Sequence, residues 1–340
     1  MDPSVPRAVH RVDSRVTVPR VAMALALVAF AAVLGWGAWG RWGTSAEPGH
    51  PPVAATSPAA ASGCTGAPYQ PGGKDPWGGC WPAAWTAGYP HGLPGDVRPV
   101  VRLTPYDGPC DIRTDDVVID AKLVNCAGML VYAKNLTIRN SKVNGLVNTN
   151  SPTASVAIVD SEVDGLAVKA QAVGLSNVTL LRVDVHNNQH GVHCYGHCAV
   201  RDSYIHDQYT VGKSLGWHQN GFLTNGGSDM QVIHSTLGCV GGCTSPLTLI
   251  PDDDISRVVL DRNLVLASPD SGFCINAGSN HPAKPGDLDH ITVTDNVFQR
   301  GRNGRCGLYG VVGGWVPATA RNGNVWHGNT MDDGTPLMPA

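Results

Sequence analysis

Beyond residue 116 the chain repeats one short phrase, with apolar residues at alternate positions and a polar pair near the centre. The copies are VVIDAKLVNC (117–126), LTIRNSKVNG (136–145), VAIVDSEVDG (156–165), VTLLRVDVHN (178–187), CAVRDSYIHD (198–207), MQVIHSTLGC (230–239), VVLDRNLVLA (258–267) and ITVTDNVFQR (291–300), with a partial copy at Asn324-Val325-Trp326-His327-Gly328-Asn329. Period-two alternation, β-branched residues and a closing Gly, Asn or Asp predict short strands broken by tight turns. Taking Asp120, Asn140, Asp160, Arg182, Asp202 and His234 as equivalent gives steps of 20, 20, 22, 20 and 32 residues. A repeat near 20 residues made of strands and turns alone predicts an all-β solenoid, a parallel β-helix over 106–330, whose coils supply each other's backbone hydrogen bonds.

A second strand follows each phrase, opening on Gly at 145, 165, 191, 221, 272 and 307. If the residue after each Gly points inward, alternation places Lys169, His193, Tyr195, Leu223, Asn225, Thr248, Asn276 and Tyr309 in one outward stripe. Residues 64–105, rich in Trp, Pro and Gly and without a repeat, are expected to cap the N-terminal end of the stack. The last ten residues, 331–340, read as a tail.

The first sixty residues read differently. Arg7, Arg11, Arg15 and Arg20 precede an uncharged apolar run from Val21 to Gly40, about the 20 residues a bilayer core requires. The excess of Arg on one side predicts a cytoplasmic tail (1–20), a transmembrane or signal-anchor helix (21–42) and an exported remainder. Cleavage near Thr44-Ser45-Ala46 would instead give a secreted protein. Residues 43–63, mostly Pro, Ala, Ser and Gly, form a flexible linker.

All ten cysteines lie beyond that linker. An even count on the exported side predicts disulfides, and sequence proximity suggests 64 with 80, 110 with 126, 194 with 198, 239 with 243 and 274 with 306. A metal site of Cys194 and Cys198 with His193 and His197 is the competing reading. Of 27 acidic and 24 basic side chains, three and five precede residue 64, so the exported part carries a net charge of about −5, without the basic footprint of a nucleic-acid binder.

The repeat phrases, with Asn-Leu-Thr-Ile-Arg-Asn-Ser (135–141) and Ile-Thr-Val-Thr-Asp-Asn (291–296) as the clearest copies, resemble those of the right-handed parallel β-helix proteins of the pectate-lyase-like superfamily, in its secreted bacterial form. The resemblance covers about residues 98–330. It implies the fold and a carbohydrate-active role, but lyases, hydrolases, epimerases and non-catalytic surface proteins share that scaffold. The polygalacturonase set is not assembled: Asn148-Thr149-Asn150 lacks its Asp, and no Arg-Ile-Lys occurs.

Candidate chemistry concentrates between 188 and 226. Asn188-Gln189-His190 and His218-Gln219-Asn220 precede equivalent strands, so stacking would set them about 5 Å apart. The cluster suits proton abstraction beside a uronate carboxyl, giving β-elimination or epimerisation. His218 or His190 is the expected base, Tyr195 or Tyr209 the acid, and Lys213 a cation for the carboxylate. Lys169, His193, Arg201, Asp207, Trp217, Gln219, Asn220, Asn225, Asn276 and Tyr309 are expected to contact substrate. His186 and His206 end their phrases at turns and read as surface residues. Paired carboxylates at Pro251-Asp252-Asp253-Asp254 suit glycoside hydrolysis, or a Ca²⁺ site built on Asp252 and Asp254; otherwise no cofactor is required. A non-catalytic glycan-binding solenoid is the third class. The expected partners are an extracellular polysaccharide and, through the N-terminal helix, the membrane, with the protein a monomer and no nucleic acid bound.

Overall fold

A computed structural model describes residues 63–211, 217–239, 243–270, 272–278 and 286–339. The predicted membrane helix, nearly all of the linker, and Lys213 lie outside the described residues. Among the described residues there is no helix, and none long and apolar enough to cross a membrane. Twenty strands, β1 to β20 in chain order, form one curled sheet in which every strand-to-strand pairing is parallel. The arrangement is solenoid-like and compatible with a parallel β-helix.

Each coil contributes up to three strand segments. The first face stacks β3 (Val118–Asp120), β5 (Leu136–Arg139), β10 (Gly227–Ile233), β13 (Ile255–Asp261), β16 (Leu288–Thr294) and β19 (Val325–His327), with the long β7 (Val156–Arg201) filling the gap. The second face is short: β8 (Tyr204–Ile205), β11 (Thr236–Leu237), β14 (Leu264–Val265), β17 (Val297–Phe298) and β20 (Thr330–Met331). The third stacks β6 (Lys142–Thr149), part of β7, β9 (Asn220–Thr224), β12 (Ser245–Leu249), β15 (Phe273–Ala277) and β18 (Gly310–Gly313). Alternation sends one residue set inward, so Ile119, Ile138 and Ile158, and then Val200, Val232, Leu260 and Val293, sit in register and buried. Each such side chain contributes roughly 1.5–3 kcal/mol by leaving water.

The polar pair of each phrase makes the turn between the first and second faces. Its first residue takes a left-handed backbone at Asn140, Asp160, Arg182, Asp202, His234, Arg262 and Asp295. Asn and Asp tolerate that conformation better than most residues. Its second residue turns inward and its side chain accepts from the preceding turn's backbone: Ser203 N–H donates to Ser235 Oγ, Ser235 N–H to Asn263 Oδ1, Asn263 N–H to Asn296 Oδ1 and Asn296 N–H to Asn329 Oδ1. Buried turn amides are thereby satisfied, which the core requires. One equivalence shifts by a residue: Ala121 takes the left-handed position, while Asp120 pairs with Arg139.

Residues 63–98 run along the flank of the stack as a strap. Gln299 donates to Tyr69 O, His234 meets Asp75, Gly88 N–H donates to Arg182 O, and Arg98 pairs with Asp160. Trp81, fully buried, packs on Leu264 and Val297. The side of the solenoid needed this cover because β14 and β17 present apolar residues outward there. All five suggested disulfides are formed. Cys194 and Cys198 are therefore bonded to each other, which removes the thiolates that a metal site there would need.

Candidate functional site

Register on the third face pairs His190 with Asn220, and His193 with Leu223, then Leu223 with Thr248 and Thr248 with Asn276. The two phrases seen in sequence are thus neighbouring rungs. Gly191 is closely packed: a Cβ there would collide with Ile205 and with Gly221 O. On either side of it the His190 ring lies 5.7 Å from that of His193, and His193 lies 4.6 Å from Tyr195.

Amides hold both imidazoles. Asn225 Nδ2 donates to Ile250 O, which turns its Oδ1 toward His193 Nε2 at 3.1 Å. A carbonyl oxygen only accepts, so His193 carries its proton on Nε2 and keeps the Nδ1 lone pair. Asn220 Oδ1 accepts from Thr248 Oγ1, and its Nδ2 donates to His190 Nδ1 at 3.0 Å and to His218 O. The Nδ1 lone pair of His190 is therefore committed.

Burial pushes His190 down to about 3, with repulsion from His193 and His218 adding to it. Burial also lowers His193, against the opposing hydrogen bond to Asn225. Tyr195 moves up, through burial first and then the charges of Asp252 and Asp253. At neutral pH both imidazoles are neutral and the phenol keeps its proton.

Around this centre, exposed His218 meets Thr244 Oγ1 at 3.4 Å, and Gln189 Nε2 donates to His218 O. Gln219 is buried beside it. Buried Trp217 packs edge-on to Tyr209 at 5.7 Å, and the Lys169 ammonium lies 5.9 Å from the Trp217 ring. Lys169 arrives by another route than expected. Asn148 pairs with Gly174, so Lys169 belongs to an outward excursion between Asp164 and Val173.

Other expected members lie elsewhere. Gly313, not Tyr309, continues the stripe below Asn276, and Tyr309 is exposed beside Phe273. Arg201 belongs to the first face, bonded to Gln231. Asp207 binds His206 at the turn after β8. Asn276 lies two rungs below Leu223. Asp252 N–H donates to Asn225 O, and Asp254 Oδ1 accepts from Asp287 N–H while lining a separate cavity of about 620 Å³ with Asp289 and Arg321. Among the described residues no three His, Cys, Asp or Glu side chains converge as around a metal ion. Thr244 was missed in sequence, although it precedes β12 as Gln219 precedes β9.

His186 and His206 are not free surface groups. Lys142 pairs with Glu162 at 2.6 Å, Glu162 with His186 at 3.1 Å, and His206 lies between Asp184 at 2.8 Å and Asp207 at 2.7 Å. Burial opposes the charged form of His206, but the two carboxylates push it up to about 9. Lys142 and His186 hold Glu162 down at about 2 despite its burial.

No protein-family model matches the chain, and no curated protein or solved structure is significantly similar to it.

Proposed function

We propose that the chain is an extracellular carbohydrate-active enzyme, a right-handed parallel β-helix of pectate-lyase-like type, that acts on a uronate polysaccharide by proton abstraction. The observation that carries this reading is the His193–Tyr195 pair. Two touching titratable groups are displaced in opposite directions, so a free base and a protonated acid coexist at neutral pH. His193 Nδ1 takes the proton from C5, and the electron pair is delocalised into the adjacent carboxylate. Lys169, whose ammonium lies beside the Trp217 ring, holds that carboxylate as charge builds on it. In elimination the pair then forms the C4–C5 double bond, the C4–O4 bond breaks, and Tyr195 protonates the leaving oxygen. In epimerisation Tyr195 returns a proton to the opposite face of C5.

The base role passes from His218 and His190 to His193, because the His190 lone pair is committed to Asn220. His218 and Trp217 instead offer a rim for the sugar. The N-terminal run anchors the protein to the membrane, and the five disulfides suit an oxidising exterior. Incubation with a panel of uronic-acid polymers should give either an unsaturated product that absorbs in the ultraviolet or C5 inversion seen by proton NMR. Reducing ends without either signal would mean hydrolysis, and overturn the proposal.

A further inference from the structure

A second concave site lies far from His193 in register, between the strap and the turn ladder. Its volume is about 360 Å³, within the range of ligand pockets. Trp77 and Trp85 line it from the strap, with the Cys64–Cys80 disulfide, while Arg182, Asp202 and His234 line it from the solenoid. Trp77 is 43% exposed. Trp85 is fixed in place: a Cβ at Gly72 would stand 2.0 Å from its Cζ2, and one at Gly95 2.8 Å from its Cδ1.

The charged groups of the cleft already satisfy one another. Arg98 binds Asp96 and Asp160, Arg182 binds Asp160, and His234 bridges Asp202 and Asp75. Asp96 and Asp202 in the lining, with Asp75 and Asp160 behind it, balance two guanidiniums and one imidazole, and Arg262, 5.9 Å from the Trp77 ring, is held by Asp261, so the balance offers nothing to an anion. What remains is an indole wall beside hydrogen-bonding groups, including an Asp202 side chain that is 38% exposed. Indole faces favour rings with one apolar side, and a polar rim orients their hydroxyls.

The geometry points to a non-catalytic glycan site in this cleft, one that takes a neutral sugar chain rather than the uronate handled at His193. The proposal shares with the preceding reading only the glycan class, so each can fail alone. It also gives the strap a use besides covering β14 and β17. A neutral-chain site on the flank would hold the protein on a composite wall while the third face works on the acidic polymer.

The test is calorimetric titration of the full chain with xylohexaose, cellohexaose, mannohexaose and galactohexaose. At least one should bind, bind His193→Asn equally, and lose tenfold or more in affinity to Trp77→Ala and Trp85→Ala. Trp77→Ala decides the matter if Trp85→Ala does not fold, since Trp77 sits exposed at the mouth. No binding by any of the four, binding unchanged in Trp77→Ala, or binding lost in His193→Asn would each overturn the proposal. Binding retained in a protein without activity on uronates would keep this site and remove the other.

Discussion

Two groups of histidines occupy the solenoid, and their environments move them in opposite directions. On the third face His190 and His193 meet Asn220 and Asn225 and are driven neutral by burial. At the turns His206 and His234 are also largely enclosed, yet carboxylates on both sides favour the charged form. Burial alone pushes every imidazole toward neutrality, so the partner decides the outcome. At His193 the amide leaves an imidazole with an available lone pair. Carboxylates make a cation that fastens neighbouring chain segments, and nothing is left for chemistry.

The sharpest test removes one member from each group. His193→Asn should lower turnover of the uronate substrate by on the order of 10³-fold, within the range of general-base catalysis, with urea unfolding unchanged. A loss below tenfold would place the base elsewhere. His206→Ala should do the reverse. It strands the Asp184 carboxylate, 7% exposed, and breaking such a pair costs about 3 kcal/mol. Urea melts should show that loss while the rate per folded molecule stays the same. Equal stability would mean that the turn network contributes nothing.

The pH dependence of stability should carry both signs. His206 titrates near 9 in the fold and near 6.5 unfolded, so its contribution is full below 6.5 and is lost as pH rises from 6.5 to 9. His190 titrates near 3 in the fold, so stability falls as pH drops below 6.5. The acid limb is best read between pH 6.5 and 5, above the range in which Glu162 protonates. Unfolding midpoints across pH 5 to 9 should peak near 6.5, with His206→Gln flattening the alkaline limb and His190→Asn the acid one. Limbs that survive these substitutions would assign the proton linkage to other groups.

The strands and the five disulfide pairs were legible because alternation, turn residues and cysteine spacing are local. The register between rungs was only half legible. His190 over Asn220 followed from matching phrases, but Tyr309 and Lys169 were misplaced because coils differ in length, and an excursion such as 165–172 shifts every later position. The strap's path was hidden for a further reason: Asp75 meets His234 across 159 residues and Gln299 meets Tyr69 across 230, and no local pattern encodes such contacts. His186 and His206 looked like surface turns because their carboxylate partners come from other coils. The partner of His193 was hidden for the same reason, since Asn225 Oδ1 is aimed at it by the carbonyl of Ile250.

That aim provides the subtlest way to break the contrast between the two groups. Asn225→Asp replaces one NH₂ by an oxygen and gives His193 the kind of partner that His206 has. The new carboxylate favours the imidazolium, which should raise the pKa of His193 by about one unit or more. His193 would then be protonated over more of the acidic range and unavailable as a base. The acid limb of the kcat/KM profile should move up by about one pH unit, costing roughly tenfold on that limb, while the rate near pH 8 stays within about threefold. The carboxylate also faces Ile250 O without a hydrogen to donate, so about 1 kcal/mol of stability should go with it. An acid limb that does not move, in a protein that still folds, would show that Asn225 does not set the protonation of the base and that His193 is not that base.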